Sequence, residues 1–276
     1  MNYRHSFHAG NFADLVKHAL VLWLMKTRQG GAVSGGPVTV LDTHAGAGLY
    51  DLSGDGVRSR EAEAGVARLM AAADRPPLIE ALAAEVAALN PHGGVRFYPG
   101  SPVLLARALR PGDRYLGFEL RDEVAALLTE SLAGFPNAGG LGGDGYEAVV
   151  AAARETGGPL VLIDPPFERP DDYLRAADTA AALVRADPAA TVAIWTPLKD
   201  LETFDGFIRR LAGAGAGPTV VAEARLRPLT NPMKMNGCAM VMVNPPAGTE
   251  AAAGEICGWV AATLGDAGAR AEVWTA

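Results

Sequence analysis

Asp164-Pro165-Pro166-Phe167 stands directly after the apolar run Leu160-Val161-Leu162-Ile163, and its residue types carry the most specific chemistry in the chain. An exocyclic amine on a nucleobase has its lone pair delocalised into the ring and is a poor nucleophile. A carboxylate and a fixed carbonyl accepting its two N–H bonds favour the tetrahedral nitrogen that attack requires. Two prolines lock the φ angles of such a loop and hold both acceptors in place, and Phe167 offers a face on which a base can stack. Asp164, Pro165 and Phe167 are therefore the candidate catalytic residues, Phe167 also as a base contact. Asn244-Pro245-Pro246-Ala247 also follows an apolar run, but it lacks the aromatic and ends a segment expected to run the other way. It reads as a structural turn.

Three further carboxylates sit where other strands should end. In an open α/β sheet, ligands bind beyond the carboxyl ends of the strands. Asp42 precedes the turn Gly46-x-Gly48, Glu119 closes a second apolar run, and Asp144-Gly145 follows a glycine-rich stretch. A dinucleotide fingerprint needs a third glycine at its sixth position. Here that position is Asp51, which would repel a pyrophosphate. The pocket suits instead a ligand with a cationic or zwitterionic part and a ribose, and S-adenosylmethionine has both. Asp42 and His44 would lie at its amino acid end, Lys17 and His18 would be available for its carboxylate, and Glu119 would accept from the ribose hydroxyls. Taken alone, His18 reads as a helix-surface histidine; its case rests on its neighbours.

The elements that must position these groups are legible from hydrophobic periodicity. Phe12, Leu15, Val16, Ala19, Leu20, Trp23 and Leu24 recur at steps of three and four, which predicts a helix over 12–25 with Asp14, Lys17 and His18 on its opposite side. Asn11 is its expected N-cap, with Asp14 completing an acidic variant of the capping box. Strands are expected at 38–41, 114–120, 159–163 and 191–195, and helices at 122–133, 173–186 and 201–214. Such alternation implies parallel pairing through crossovers. Val220 to Leu226 and Gly237 to Asn244 are joined too closely for a helical crossover and predict an antiparallel pair at the sheet edge. Between Leu52 and Pro91 the chain turns alanine-rich, with helix signals at 61–73 and 78–89, and reads as a helical insertion. The stretches around Gly139 to Gly143 and Ala212 to Gly217 read as turns.

Composition narrows the class. The chain has 276 residues, enough for one large domain or a domain with an insertion. Cys238 and Cys257 have no Cys or His neighbours at ligand spacing, so neither a metal site nor a disulfide framework is expected, but two buried thiols. The longest apolar run, Ala19 to Met25, is far short of the roughly 20 residues that span a bilayer. The N-terminus does not resemble a signal peptide, and a cytoplasmic location is expected. Net charge is −7, apparently unfavourable for a nucleic acid partner. Residues 1–28, however, carry Arg4, Lys17, Lys26 and Arg28 against Asp14 alone, so a local basic arm is expected.

Tyr3-Arg4-His5-Ser6-Phe7-His8-Ala9-Gly10-Asn11 with Lys17-His18, Leu41 to Gly48, Tyr98-Pro99-Gly100-Ser101-Pro102 and Asp164 to Phe167 together closely resemble the RlmJ family, bacterial 23S rRNA adenine-N6 methyltransferases. The resemblance runs essentially end to end. It implies a Rossmann-like class I S-adenosylmethionine-dependent methyltransferase fold, α/β, with a mostly parallel sheet, an antiparallel edge strand and a small helical insertion. The corresponding division is a methyltransferase domain at 1–51 and 96–276 and an insertion subdomain at 52–95. Carried over by position, it makes His18, His44, Ser101, Glu119, Asp144 with Gly145, and Asp164 cofactor contacts, and Asp164 the proton acceptor. Tyr3 becomes an RNA contact, with Arg4 of the basic stretch beside it. Phe167 stands where Tyr is expected in many relatives; stacking survives that change, whereas a hydroxyl contact does not. The implied reaction is in-line methyl transfer to an adenine in 23S rRNA, free or at an early stage of assembly, by a monomer with no covalent intermediate and no metal. The alternatives are a DNA adenine methyltransferase, a protein glutamine N-methyltransferase and a non-enzymatic RNA-binding assembly factor.

Overall fold

The computed structural model describes residues 7–30, 36–53, 60–169, 171–230 and 235–276. Ten strands and nine α-helices are found among them. The helices are α1 (Phe12–Gly30), α2 (Arg68–Ala71), α3 (Pro77–Leu89), α4 (Ser101–Ala108), α5 (Asp122–Leu132), α6 (Gly145–Ala153), α7 (Asp172–Ala186), α8 (Leu201–Gly213) and α9 (Thr249–Leu264). The strands are β1 (Thr39–Asp42), β2 (Leu49–Asp51), β3 (Phe97–Pro99), β4 (Arg114–Glu119), β5 (Ala138–Gly142), β6 (Leu160–Ile163), β7 (Thr191–Leu198), β8 (Thr219–Arg225), β9 (Gly237–Val243) and β10 (Arg270–Thr275).

Eight strands form one sheet in the order β10-β8-β9-β7-β6-β1-β4-β5. The segment from β7 to β5 is parallel, while β9, β8 and β10 pair antiparallel. Side chains alternate across the sheet, Val40 belonging to one core and Leu41 to the other. The first core is closed by α1, α4, α5 and α9, the second by α6, α7 and α8. Strand order reverses between β1 and its neighbours β4 and β6, which makes the ends of β1 and β6 the crevice where such sheets bind ligands.

α1 begins as its sequence predicts. Asn11 Oδ1 accepts from the N–H groups of Ala13 and Asp14, and Asp14 reaches back to the N–H of Gly10. The helix continues to Gly30, beyond the expected end at 25, with Arg28 in its last turn bonded to Gly158 O and Thr191 Oγ1.

Two expectations are corrected. Residues 139–143 are not a turn: β5 is the parallel edge strand, glycine-rich because α5 lies so close that a Cβ on Gly140 would stand 2.6 Å from Leu128 Cγ. The antiparallel pair β8–β9 forms as expected, but β10 covers β8 and is the edge. Asn244 lies at the end of β9, opposite the Asp164 end of β6, as the strand directions require.

The segment between β2 and β3 is helical, with a π-helical turn at Glu63–Ala67 running into α2 and then α3. β2 and β3 pair antiparallel, and Gly100 N–H donates to Gly48 O at 2.8 Å. The excursion therefore returns the chain to its point of departure, and α4 starts where the glycine turn left off.

Candidate active site

The carboxyl ends of β1, β4 and β6, the N-termini of α4 and α6, and one face of α1 enclose a cavity of about 1630 Å³. Pockets for one drug-sized ligand measure roughly 300–1,000 Å³. This cleft is larger than one such ligand needs.

On the β6 side, Asp164 lines the cavity beside Lys17, whose Nζ donates to Asp164 Oδ2 at 2.5 Å and stands 2.9 Å from Asp14 Oδ1. Lys17 is 4% exposed. Burial alone would push its ammonium down, but Asp14 and Asp164 outweigh that and hold it well above the ordinary lysine range. Asp164 Oδ1 has no bond to any described residue. Phe167 adopts φ 51°, a left-handed conformation that costs a side chain of this kind roughly 1–3 kcal/mol. Its ring packs 4.4 Å from Tyr173 and 6.0 Å from Trp195, centroid to centroid.

His18, expected as a surface histidine when taken alone, is buried in the cavity wall, its Nδ1 2.8 Å from Tyr98 Oη. The polar side of α1 faces this cavity, not solvent. Lys17 is thus spent inside the fold and Arg28 on backbone and Thr191, so only Lys26 is exposed among the described cations of the expected basic arm. Tyr3 and Arg4 lie outside the described residues.

On the β1 side, Asp42 does not line the cavity. It is fully buried, its Oδ2 accepting from Ser101 Oγ at 2.7 Å and Tyr115 Oη at 3.0 Å, and its Oδ1 from His44 N–H at 3.2 Å. Burial pushes its carboxyl up to about 6, against these donors. Asp42 thus supports Ser101 and His44, which do line the cavity. His44 is drawn down to about 4 by burial, and its ring meets Tyr146 edge-on at 4.8 Å. A neutral imidazole results at physiological pH.

Glu119 at the end of β4 takes an N–H bond from Gly46 at 3.2 Å and another from Arg121 at 3.0 Å. Beside it Leu120 is 59% exposed and forms an apolar wall of the cavity. Asp144 caps α6 by accepting from Tyr146 N–H, and Arg175 donates to it at 2.7 Å. Burial would raise the Asp144 carboxyl, but Arg175 and the backbone donors pull it below its usual range. Gly145 must be glycine, because a Cβ there would stand 1.9 Å from Thr43 O.

The structure thus brings Lys17, His18, His44, Ser101, Glu119, Asp144, Gly145, Asp164, Pro165 and Phe167 to one cavity and sets Asp42 beneath it. Reading strand ends does not find Ser101, because the helical segment between β2 and β3 separates the glycine turn from the helix that continues it. Asp14, Leu120, Tyr146 and Arg175 are further wall residues not expected from sequence, although Asp14 lies one turn before Lys17. The donor set fits S-adenosylmethionine: a carboxylate with two fixed backbone bonds beside an apolar wall suits a ribose and adenine, and the mixed charges toward α1 suit an amino acid and sulfonium.

The family model for RsmJ, described as ribosomal RNA large subunit methyltransferase D, RlmJ, matches residues 35–276. Ribosomal RNA large subunit methyltransferase J of Haemophilus influenzae is 32% identical over 272 residues, covering 96% of this chain and 94% of that protein. Its namesake from Escherichia coli is 30% identical over 273 residues, covering 97% and 95%. The crystal structure of Legionella pneumophila protein LPL1258 superposes with a TM-score of 0.86 at 23% identity, over 97% of this chain and 98% of that one, and shows the same fold. With its strand-end cavity and its match to these relatives over nearly the whole chain, the protein belongs to the RlmJ family and is an S-adenosylmethionine-dependent methyltransferase of large-subunit ribosomal RNA.

Proposed function

We infer that the methyl group goes to the exocyclic N6 of an adenine in 23S rRNA. The observation that carries this reading is the Asp164 carboxylate, which lines the cavity and is held through Oδ2 by buried Lys17, its Oδ1 without a hydrogen bond among the described residues, at the head of a proline-stiffened loop that ends in Phe167. An amine placed there donates one N–H to Asp164 Oδ1 and the other to the Pro165 carbonyl. The nitrogen is drawn toward tetrahedral geometry, and its proton passes to Asp164. Phe167, backed by Tyr173 and Trp195, supports the base. S-adenosylmethionine, when bound, supplies the electrophilic methyl. Glu119 would hold its ribose, Leu120 its adenine, and His18, His44, Ser101, Asp144 and Gly145 the rest, with Asp42 keeping Ser101 and His44 in place.

With the Asp164 side chain only 12% exposed and Phe167 buried, the target base must leave its stack to reach them, at a cost of a few kcal/mol. RNA that is free or in early assembly meets that cost most easily, and the protein would act as a cytoplasmic monomer, with Tyr3 and Arg4 meeting the RNA and residues 52–95 forming a helical subdomain. Among the described residues, no helix is long and apolar enough to cross a membrane. Radiolabelled methyl transfer offered in parallel to deproteinised 23S rRNA, intact ribosomes, DNA and protein tests the reading. Label is expected in the deproteinised rRNA; preferential labelling of DNA or protein would overturn it.

A further inference from the structure

The π-helical turn Glu63–Ala67 presses on the turn that starts α1. Val66 N–H donates to Gly10 O at 2.8 Å, and a Cβ on Gly65 would come within 2.1 Å of the same oxygen. Just before it, Glu61 meets that turn with both carboxylate oxygens. Oε1 lies 2.9 Å from His8 Nδ1, and Oε2 accepts from Asn11 Nδ2 at 2.9 Å. Asn11 in turn caps α1, Asp14 bonds Gly10 N–H and Lys17, and Lys17 bonds Asp164. A continuous series of polar contacts therefore runs from the helical segment between β2 and β3 to the acceptor of the reaction.

We propose that Glu61 is a positioning residue for methyl transfer, fixing the His8–Asn11 turn so that α1 presents Lys17 and thereby orients Asp164. The proposal rests on Asp164 being the amine acceptor. It gives the inserted helices a task that their apolar contacts do not explain. Val66 and Leu69, both fully buried, already secure the segment by packing. A carboxylate still about one-third exposed, bonded to His8 and Asn11, adds little to stability. What it adds is direction, and misplacement of a catalytic group by about 1 Å is enough to cost up to roughly 100-fold in rate.

The test measures kcat at saturating cofactor and 23S rRNA fragment, the KM for that fragment and the melting temperature. The variants are Glu61→Ala, Glu61→Gln, Asn11→Ala and the Glu61→Ala/Asn11→Ala double, with Asp164→Asn as reference. Glu61→Ala is expected to lose roughly tenfold in kcat with KM nearly unchanged. Glu61→Gln should regain most of the rate, because the amide still accepts from Asn11 and can donate to His8. The double variant should be no slower than the slower single, since both break one chain of contacts. Unchanged kcat in Glu61→Ala, losses that multiply in the double, or a loss that follows melting temperature and is not restored by glutamine would overturn the proposal. If Asp164→Asn keeps full rate, the acceptor assignment falls and this proposal with it. If Asp164→Asn is inactive while Glu61→Ala keeps the parent kcat, the positioning role alone falls.

Discussion

Asp42 and His44, two residues apart, carry opposite shifts, and their effects on stability oppose each other. Asp42 has a folded-state value of about 6 against an ordinary 3.8, so the native protein binds the extra proton and stability falls as pH rises through about 4 to 6. The size of that fall is on the order of 3 kcal/mol. His44, at about 4 against 6.5, works the other way: the unfolded chain takes the proton, and stability is lost as pH falls through that window. Urea unfolding between pH 4 and 7 should show Asp42→Asn gaining stability relative to the parent as pH rises, and His44→Gln losing it. Parallel curves for parent and variants would refute the pair. Residues such as Asp164, Glu119 and Asp144 were legible because strand ends are legible. Asp42 was misplaced by one layer, since nothing in its local sequence says that Ser101, 59 positions on, stands between it and the cavity.

The elements that define the cavity meet with almost no clearance at Gly145. Gly145→Ala should drive a Cβ into Thr43 O, displacing the α6 N-terminus and its Asp144 cap. Calorimetry is expected to show S-adenosylmethionine affinity reduced about tenfold or more, along with roughly 1–3 kcal/mol of lost stability. Gly140→Ala crowds Leu128 where α5 packs on β5 and should cost similar stability while the folded enzyme keeps its cofactor affinity. Equal effects of the two on cofactor binding would contradict the placement of α6. Helices with a clear apolar stripe and β-branched strands were readable, whereas α9, rich in alanine and glycine, was not. β5 was not, because its glycines answer to the packing of α5 and not to strand propensity, and β10 was not, because only Val273 and Trp274 pack inward, too few for an apolar pattern. α4 was hidden by the excursion between β2 and β3.

At the scale of the whole molecule, 31 acidic residues against 24 basic ones give a surface that does not attract RNA broadly. Lys17 and Arg28, which made the N-terminal stretch look basic, are occupied inside the fold. Recognition is then expected to rest on shape and an extruded base, with few phosphate contacts. Filter binding of a 23S rRNA fragment between about 50 and 200 mM salt should give a log–log slope of about −2, corresponding to roughly three contacts at 0.7 each. A slope several times steeper would point to a broad basic face. The central claim is chemical, and one measurement reaches it. 23S rRNA methylated by this enzyme with labelled S-adenosylmethionine, digested to nucleosides and separated, should carry its label as N6-methyladenosine, and Asp164→Asn should leave none. Label on a ribose or on another base, or full labelling by Asp164→Asn, would contradict the account.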